Sequence, residues 1–205
     1  MNKKNKVFQK YRFQIISLAV ILLLTGFKLT AGDENEISEE TMNTEDKTLE
    51  KATFGAGCFW GIEAAYRQIE GVKSTQVGYL GGTFDNPTYS DVCNDNTGHA
   101  EVVEVQFDPS KVSYEMLLNV FWESHDPTTL NRQGPDIGTQ YRSAIFYHSR
   151  EQKEKAELSM EEMDNSGEFK NKIVTEITEA STFFVAEEYH QQYLEKRGLS
   201  SCKIK

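Results

Sequence analysis

Apolar and polar positions alternate with two periods along this chain, and the switches between them mark its elements. Lys51 to Ala56 predicts a short strand that runs into Gly55 and Gly57. Phe59, Ile62, Ala65, Tyr66 and Ile69 then fall at the spacing of one helical face, which predicts a helix over Phe59 to Glu70. Val72 to Tyr79 predicts a strand, and Gly81 to Gly98, rich in Gly, Asn, Asp and Thr, a loop. Ala100 to Phe107 predicts a strand. Ser113 can cap a helix to about Ser124 with Met116, Leu117, Val120 and Phe121 inward. A second long loop covers Asp126 to Thr139. Tyr141 to Tyr147 predicts a strand, Arg150 to Met163 a charged helix, Lys172 to Ile177 a strand, and Ala186 to Lys196 a short helix. The fold class is α+β: one domain with a mixed β-sheet core, flanking helices and two long loops of the length that carries active sites.

The first 50 residues follow neither period. Lys3, Lys4, Lys6, Lys10 and Arg12 precede an apolar run from Phe13 to Phe27. That is the pattern of a secretory signal, and it falls short of the ~18–20 residues of a membrane span. Leu29-Thr30-Ala31 is a poor cleavage site, so residues 1–31 read as a signal peptide or as an N-terminal anchor built on residues 13–27. Either way the chain is expected to be exported, to the periplasm or another extracytoplasmic space. Residues 32–50 hold eight acidic residues against Lys47 alone and no aromatic residue. Such a stretch cannot bury enough apolar surface to offset its ordering entropy, which predicts a disordered acidic linker. Residues 51–205 suit a single domain.

Composition narrows the choice of partner. Residues 51–205 carry 15 basic and 24 acidic side chains, which argues against nucleic acid or anionic lipid. The three cysteines, Cys58, Cys93 and Cys202, cannot all pair within one chain. Their spacing, with scattered histidines, fits no zinc site.

Cys58 carries the strongest chemical signal. A strand ending in Gly55-Ala56-Gly57 and turning straight into a helix places Cys58 at the helix N-terminus, where unpaired N–H groups and the helix dipole favour a thiolate. Gly57 lets a substrate approach the backbone closely. Phe59 and Trp60 can wall a small apolar pocket suited to a methyl group, or can be core. In the strand Ala100 to Phe107, Glu101 shares a face with Val103 and Val105. A carboxyl in apolar surroundings stays protonated near neutrality and can act as a general acid. Glu104, on the opposite face, is expected to be a solvated charge.

Four motifs give these residues a context: Gly57-Cys58-Phe59-Trp60-Gly61, Gly98-His99-Ala100-Glu101, Gly138-Thr139-Gln140-Tyr141-Arg142-Ser143 and Glu188-Tyr189-His190-Gln191-Gln192-Tyr193-Leu194. Their order and spacing resemble the A-type peptide methionine sulfoxide reductases from about residue 51 onward. The resemblance implies a ferredoxin-like two-layer sandwich and no cofactor or metal. It implies that Cys58 attacks the sulfoxide sulfur, that Glu101 donates the proton, that Tyr89 and Tyr141 hold the oxygen and that Asp136 organises the site. Phe59 and Trp60 receive the methyl group, and Gly57, His190 and Tyr193 border the substrate. The expected substrates are oxidised protein methionines and free methionine sulfoxide, as the S epimer, and the expected state is a monomer.

The sulfenic acid left on Cys58 condenses with a second thiol, and a thioredoxin-like dithiol reduces the disulfide. Cys202 is the expected resolving thiol. Its surroundings, Arg197-Gly198-Leu199-Ser200-Ser201-Cys202, lack the proline and tyrosine of the family's pattern. Cys93 reads as structural, with a second role as alternative resolver left open.

Two further classes fit parts of the sequence. A cysteine hydrolase or acyltransferase would use His99, His125 or His190 as the base for Cys58. A non-enzymatic exported module would hold Cys58 and Cys202 in a structural disulfide.

Overall fold

The strands of this fold are apolar on both faces where they lie centrally, which is why they read as near-continuous hydrophobic runs. The computed structural model describes residues 48–94 and 96–199. The predicted export segment, all but the last three residues of the acidic linker, and Cys202 lie outside the described residues. β1 (Glu50–Ala56) starts one residue earlier than expected and is buried over its last five positions. It lies between β3 (Ala100–Phe107) and β6 (Ser143–Tyr147) in a sheet that also holds β2 (Val72–Leu80), β7 (Glu176–Glu179) and β8 (Phe184–Val185), in the order β7-β6-β1-β3-β2-β8. β1, β3, β6 and β2 (Val72–Leu80) are mutually antiparallel neighbours. With α1 (Phe59–Arg67) and α3 (Tyr114–Ser124) as crossovers they make the βαββαβ, ferredoxin-like pattern. β7 (Glu176–Glu179) pairs with β6 in parallel, so the sheet is mixed.

The helices cover one face. Phe54 from β1 stacks on Tyr66 of α1 at 5.1 Å and meets Phe121 of α3, tilted, at 5.5 Å between ring centroids. On the other face Leu80, Ala100, Val102, Ala144 and Phe146 are covered by Ala180 and Phe183. Ser113 caps α3 as expected, accepting the Met116 N–H at 3.3 Å. The buried face of α3 runs through Tyr114, Leu117, Leu118, Phe121 and Trp122, and Met116, expected inward, is 52% exposed. Helix α1 ends three residues before the expected Glu70. Ile69 and Val72 make tight three-residue turns, and Gly71 takes φ +106° where a Cβ would meet Val112 at 2.7 Å. α4 (Arg150–Asn165), capped by Ser149, packs beside α3.

Both long loops carry structure that periodicity does not announce. The first holds α2 (Tyr89–Cys93), opened by a capping box of Thr88 and Asp91. The second holds the two-residue strands β4 (Arg132–Gln133) and β5 (Asp136–Ile137), followed by a 3-10 turn over Thr139–Tyr141. β6 therefore begins at Ser143 rather than Tyr141. The strand expected over Lys172 to Ile177 forms only from Glu176, because the Ile173 and Val174 N–H groups are taken by Asp164 and Pro127. Of the helix expected over Ala186 to Lys196, only α5 (Tyr193–Lys196) forms. β8 (Phe184–Val185) precedes it, paired with β2.

Candidate active site

The strand-to-helix turn after β1 places Cys58. Gly57 takes φ +82°, and a Cβ there would lie 2.6 Å from the Gln133 side chain, so the position needs glycine. Cys58 follows as the N-cap of the nine-residue α1 and is half-buried. The positive dipole end of α1 lies beside it.

Glu101 stands on the adjacent strand and faces the same helix end. Its Oε2 accepts the Phe59 backbone N–H at 3.2 Å, and the residue is 1% exposed. Burial raises its pKa to about 8, the Phe59 N–H bond opposing the rise and the charge of Asp136 adding to it. At neutral pH this carboxyl is mostly protonated. It lies on β3, between β1 and β2, and pairs across the sheet with Tyr79. Glu104 lies on the opposite face as expected, but it is buried and ion-paired with Lys51 at 2.9 Å rather than solvated.

Hydroxyl groups converge on this pair. Tyr141, at the end of the 3-10 turn, has its pKa pushed up to about 12 by burial first and then by the neighbouring Glu101, Cys93, Asp136 and Cys58. Tyr89, at the start of α2, is raised by burial, by its hydrogen bond to Cys93 and by Glu101 and Tyr141. Both remain hydroxyl donors. Asp136 sits on β5, within electrostatic reach of Glu101 and Tyr141. Cys93 is exposed and partners Tyr89, so it borders the site rather than filling the core.

The aromatic wall is built around Trp60. Phe59 is 1% exposed and packs against Trp60, Tyr79 and His190, so it is core and pocket wall at once. Tyr193 stacks on Trp60 with ring centroids 3.7 Å apart, and Arg197 lies 4.1 Å over Tyr193. Trp60 Nε1 donates to His190 Nδ1 at 3.1 Å. His190 thus packs against both Phe59 and Trp60, and Tyr193 against Trp60.

His99, His125 and His190 have no lone pair to offer a thiol. His99 accepts the Gly82 N–H at Nδ1 and donates from Nε2 to the Phe84 carbonyl. His125 donates from Nδ1 to the Phe121 carbonyl and accepts the Ser143 hydroxyl at Nε2. His190 must accept at Nδ1 because an indole only donates, which leaves its proton on Nε2. A hydrolase base for Cys58 is absent from these three.

A thiol at a helix N-terminus, a buried protonated carboxyl, two tyrosine hydroxyls and an aromatic wall thus lie together. The family model for peptide methionine sulfoxide reductases matches residues 50–205. The peptide methionine sulfoxide reductase MsrA of Methanoculleus marisnigri is 62% identical over 158 residues, covering 77% of this chain and 96% of its own length. The chain belongs to the A-type peptide methionine sulfoxide reductases. Among solved structures, Mxr1 from Saccharomyces cerevisiae in reduced form superposes on this reductase with a TM-score of 0.70 and 36% identity, over 78% of this chain and 91% of that one. Mxr1 in complex with Trx2 superposes at 0.51 with 26% identity, over 75% and 91%.

Three residues of the reductase that sequence reasoning missed support the aromatic wall. Glu63, 1% exposed, accepts the Thr75 hydroxyl at 3.0 Å and the Gln192 N–H at 2.7 Å. It thereby holds Gln192 at φ +52°, the kink that leads into α5 and Tyr193. Gln191 bonds Val77 through both its N–H and carbonyl, and also the Ala186 carbonyl, standing in for a strand beside β2. Glu187 accepts from the Tyr79 hydroxyl and the Tyr89 N–H, each at 2.9 Å. An acid at position 63, amid the apolar face Phe59, Ile62 and Tyr66, was the available signal for Glu63. Gln191 lies within the fourth motif without a role read for it, and nothing local signals Glu187.

Proposed function

We propose that this reductase acts on methionine (S)-sulfoxide, both free and within proteins, with Cys58 as the attacking thiolate and Glu101 as the proton donor. The observation that carries this reading is the Glu101 carboxyl, buried, mostly protonated at neutral pH and held by the first N–H of the helix that Cys58 caps. The thiolate attacks the sulfoxide sulfur while Glu101 passes its proton to the oxygen. The attack forms a sulfur–sulfur bond; the substrate's sulfur–oxygen bond then breaks as the hydroxyl passes to the Cys58 sulfur, and cleavage of the sulfur–sulfur bond releases methionine and leaves Cys58 as a sulfenic acid. The substrate is reduced by two electrons and Cys58 is oxidised by two. Tyr89 and Tyr141 donate to the developing charge on oxygen, Asp136 keeps the Glu101 proton in place by its own charge, and Phe59 and Trp60 receive the methyl group.

Cys202 then condenses with the sulfenic acid, releasing water and forming a disulfide, which a thioredoxin-like dithiol reduces by exchange. The structure of Mxr1 in complex with Trx2 supports a partner of that class. The chain works as an exported monomer outside the cytoplasm, with residues 13–27 as signal or anchor, and repairs oxidised proteins there.

The test uses N-acetyl-methionine sulfoxide as substrate. Cys58→Ser is expected to form no methionine with dithiothreitol, and Cys202→Ser to form one equivalent while losing cycling with thioredoxin. Undiminished turnover by Cys58→Ser refutes the nucleophile, and undiminished thioredoxin cycling by Cys202→Ser removes it from the mechanism. The mass of the mature chain from its host decides between signal and anchor.

A further inference from the structure

The pocket has an oxygen side, formed by Tyr89, Tyr141 and Glu101, and a methyl side, formed by Phe59 and Trp60. These sides come from segments distant in sequence, and their spacing must suit a sulfoxide to within a fraction of an ångström. One carboxylate bonds the oxygen side and approaches His190, which bonds the Trp60 indole of the methyl side. Glu187, half-buried, accepts the Tyr89 backbone N–H on Oε1 and the Tyr79 hydroxyl on Oε2, each at 2.9 Å. The same Oε2 lies 4.0 Å from His190 Nε2.

That last contact is incomplete. His190 is 1% exposed, and its Nδ1 accepts the Trp60 indole N–H, so its proton resides on Nε2. This buried Nε2–H has no hydrogen-bond partner among the described residues, and it faces a carboxylate about 1 Å beyond bonding distance. An orphaned buried donor aimed at an acceptor is a contact that a small contraction completes as a charge-assisted hydrogen bond. His190 also lies against the Tyr89 ring, with centroids 4.5 Å apart, so the contraction would move the two pocket sides together.

We infer that Glu187 is a positioning residue that sets the distance between Tyr89 and the Trp60–His190 pair. It touches neither the sulfoxide nor Cys58 in this role. Its two firm bonds fix the start of α2, and its long contact with His190 transmits to the Trp60 ring. The inference rests on the reading of Tyr89 and Trp60 as the two pocket sides.

The chain has two tryptophans, so the 15N-labelled full-length protein gives two indole N–H signals. Trp122 bonds Ser159 through its own indole N–H and serves as the internal reference. Glu187→Gln is expected to move the Trp60 signal and leave that of Trp122 in place. With N-acetyl-methionine sulfoxide and dithiothreitol, kcat/KM should fall by about 10- to 100-fold, with KM carrying part of the loss. A kcat/KM within twofold of wild type, or a loss in which both indole signals move together, overturns the inference. Should Glu187→Gln fail to fold, Tyr79→Phe removes one of its anchors, and an unmoved Trp60 signal there overturns it equally. Absence of sulfoxide reduction by the wild type would count against the roles of Cys58 and Glu101 instead, and the indole signals would still decide on Glu187.

Discussion

Cys58 and Glu101 stand on central strands and the helix that follows one of them, whereas the Trp60 wall is held by the stretch 180–199, which has one two-residue strand and one four-residue helix. The first region is placed by backbone ladders. β1 pairs on both sides and β3 does too, so the position of Cys58 and Glu101 follows from register. The second is placed by side chains. Glu63, Gln191 and Glu187 reach across more than a hundred residues of sequence to hold it. Cys58 and Glu101 thus sit on the ladder, and the stretch that packs His190 and Tyr193 against Trp60 hangs on three polar anchors.

The sharpest way to break this comparison is at Glu101. Glu101→Gln keeps the shape and removes the proton, and single-turnover reduction is expected to fall by about 10²- to 10⁴-fold. In the wild type the acid is protonated below about pH 8, so the single-turnover rate should decline above that pH. The sign for stability is the same. A native pKa raised above the unfolded 4.5 means the folded chain holds a proton that the unfolded one releases. Stability from this group is complete below about 4.5 and is lost as pH rises through about 8. Glu101→Gln should flatten that decline in a denaturant series while abolishing most activity. A variant that keeps both its rate and its alkaline decline would remove Glu101 as the acid.

This division also explains what the sequence makes legible. Cys58 and Glu101 can be read because strand alternation and a strand-to-helix turn are local patterns, and the ladder preserves them. Ala186 to Lys196 misleads because the Val77 and Ala186 backbone groups are bonded by the Gln191 side chain, a partner 114 residues from Val77. Glu187 and Gln191 follow no period, since each is selected by an atom elsewhere in the fold. α2 was legible in part. Thr88-Tyr89-Ser90-Asp91 spells a capping box, but the surrounding Gly, Asn and Asp outweigh it as a loop.

A middle-sized effect is expected at Glu63, which tests the anchored region by itself. Both its oxygens accept hydrogen bonds in a buried place, and burial raises its pKa against the bonds from Thr75 and Gln192. Glu63→Gln puts an amide N–H where one donor already points, a cost of about 1–3 kcal/mol. Urea unfolding should show that loss. KM for the sulfoxide should rise several-fold, while the maximal single-turnover rate changes less than in Glu101→Gln. A fall in maximal rate as large as that of Glu101→Gln would erase the distinction between the two regions.

The smallest effect is expected at Met116, on a helix of the ladder-placed region. Helical spacing alone puts Met116 inward, yet the buried face is centred on Leu117, Leu118 and Phe121, leaving Met116 52% exposed. It lies beyond the polar cap as well, since Ser113 engages the Met116 N–H and not its side chain. Met116→Lys is therefore expected to change stability by less than about 0.5 kcal/mol and leave KM unaltered. The urea midpoint and slope check this directly. A loss matching Glu63→Gln would mean that α3 supports the sheet through its outer face as well, and that the catalytic pair depends on side-chain anchors as much as the aromatic wall does.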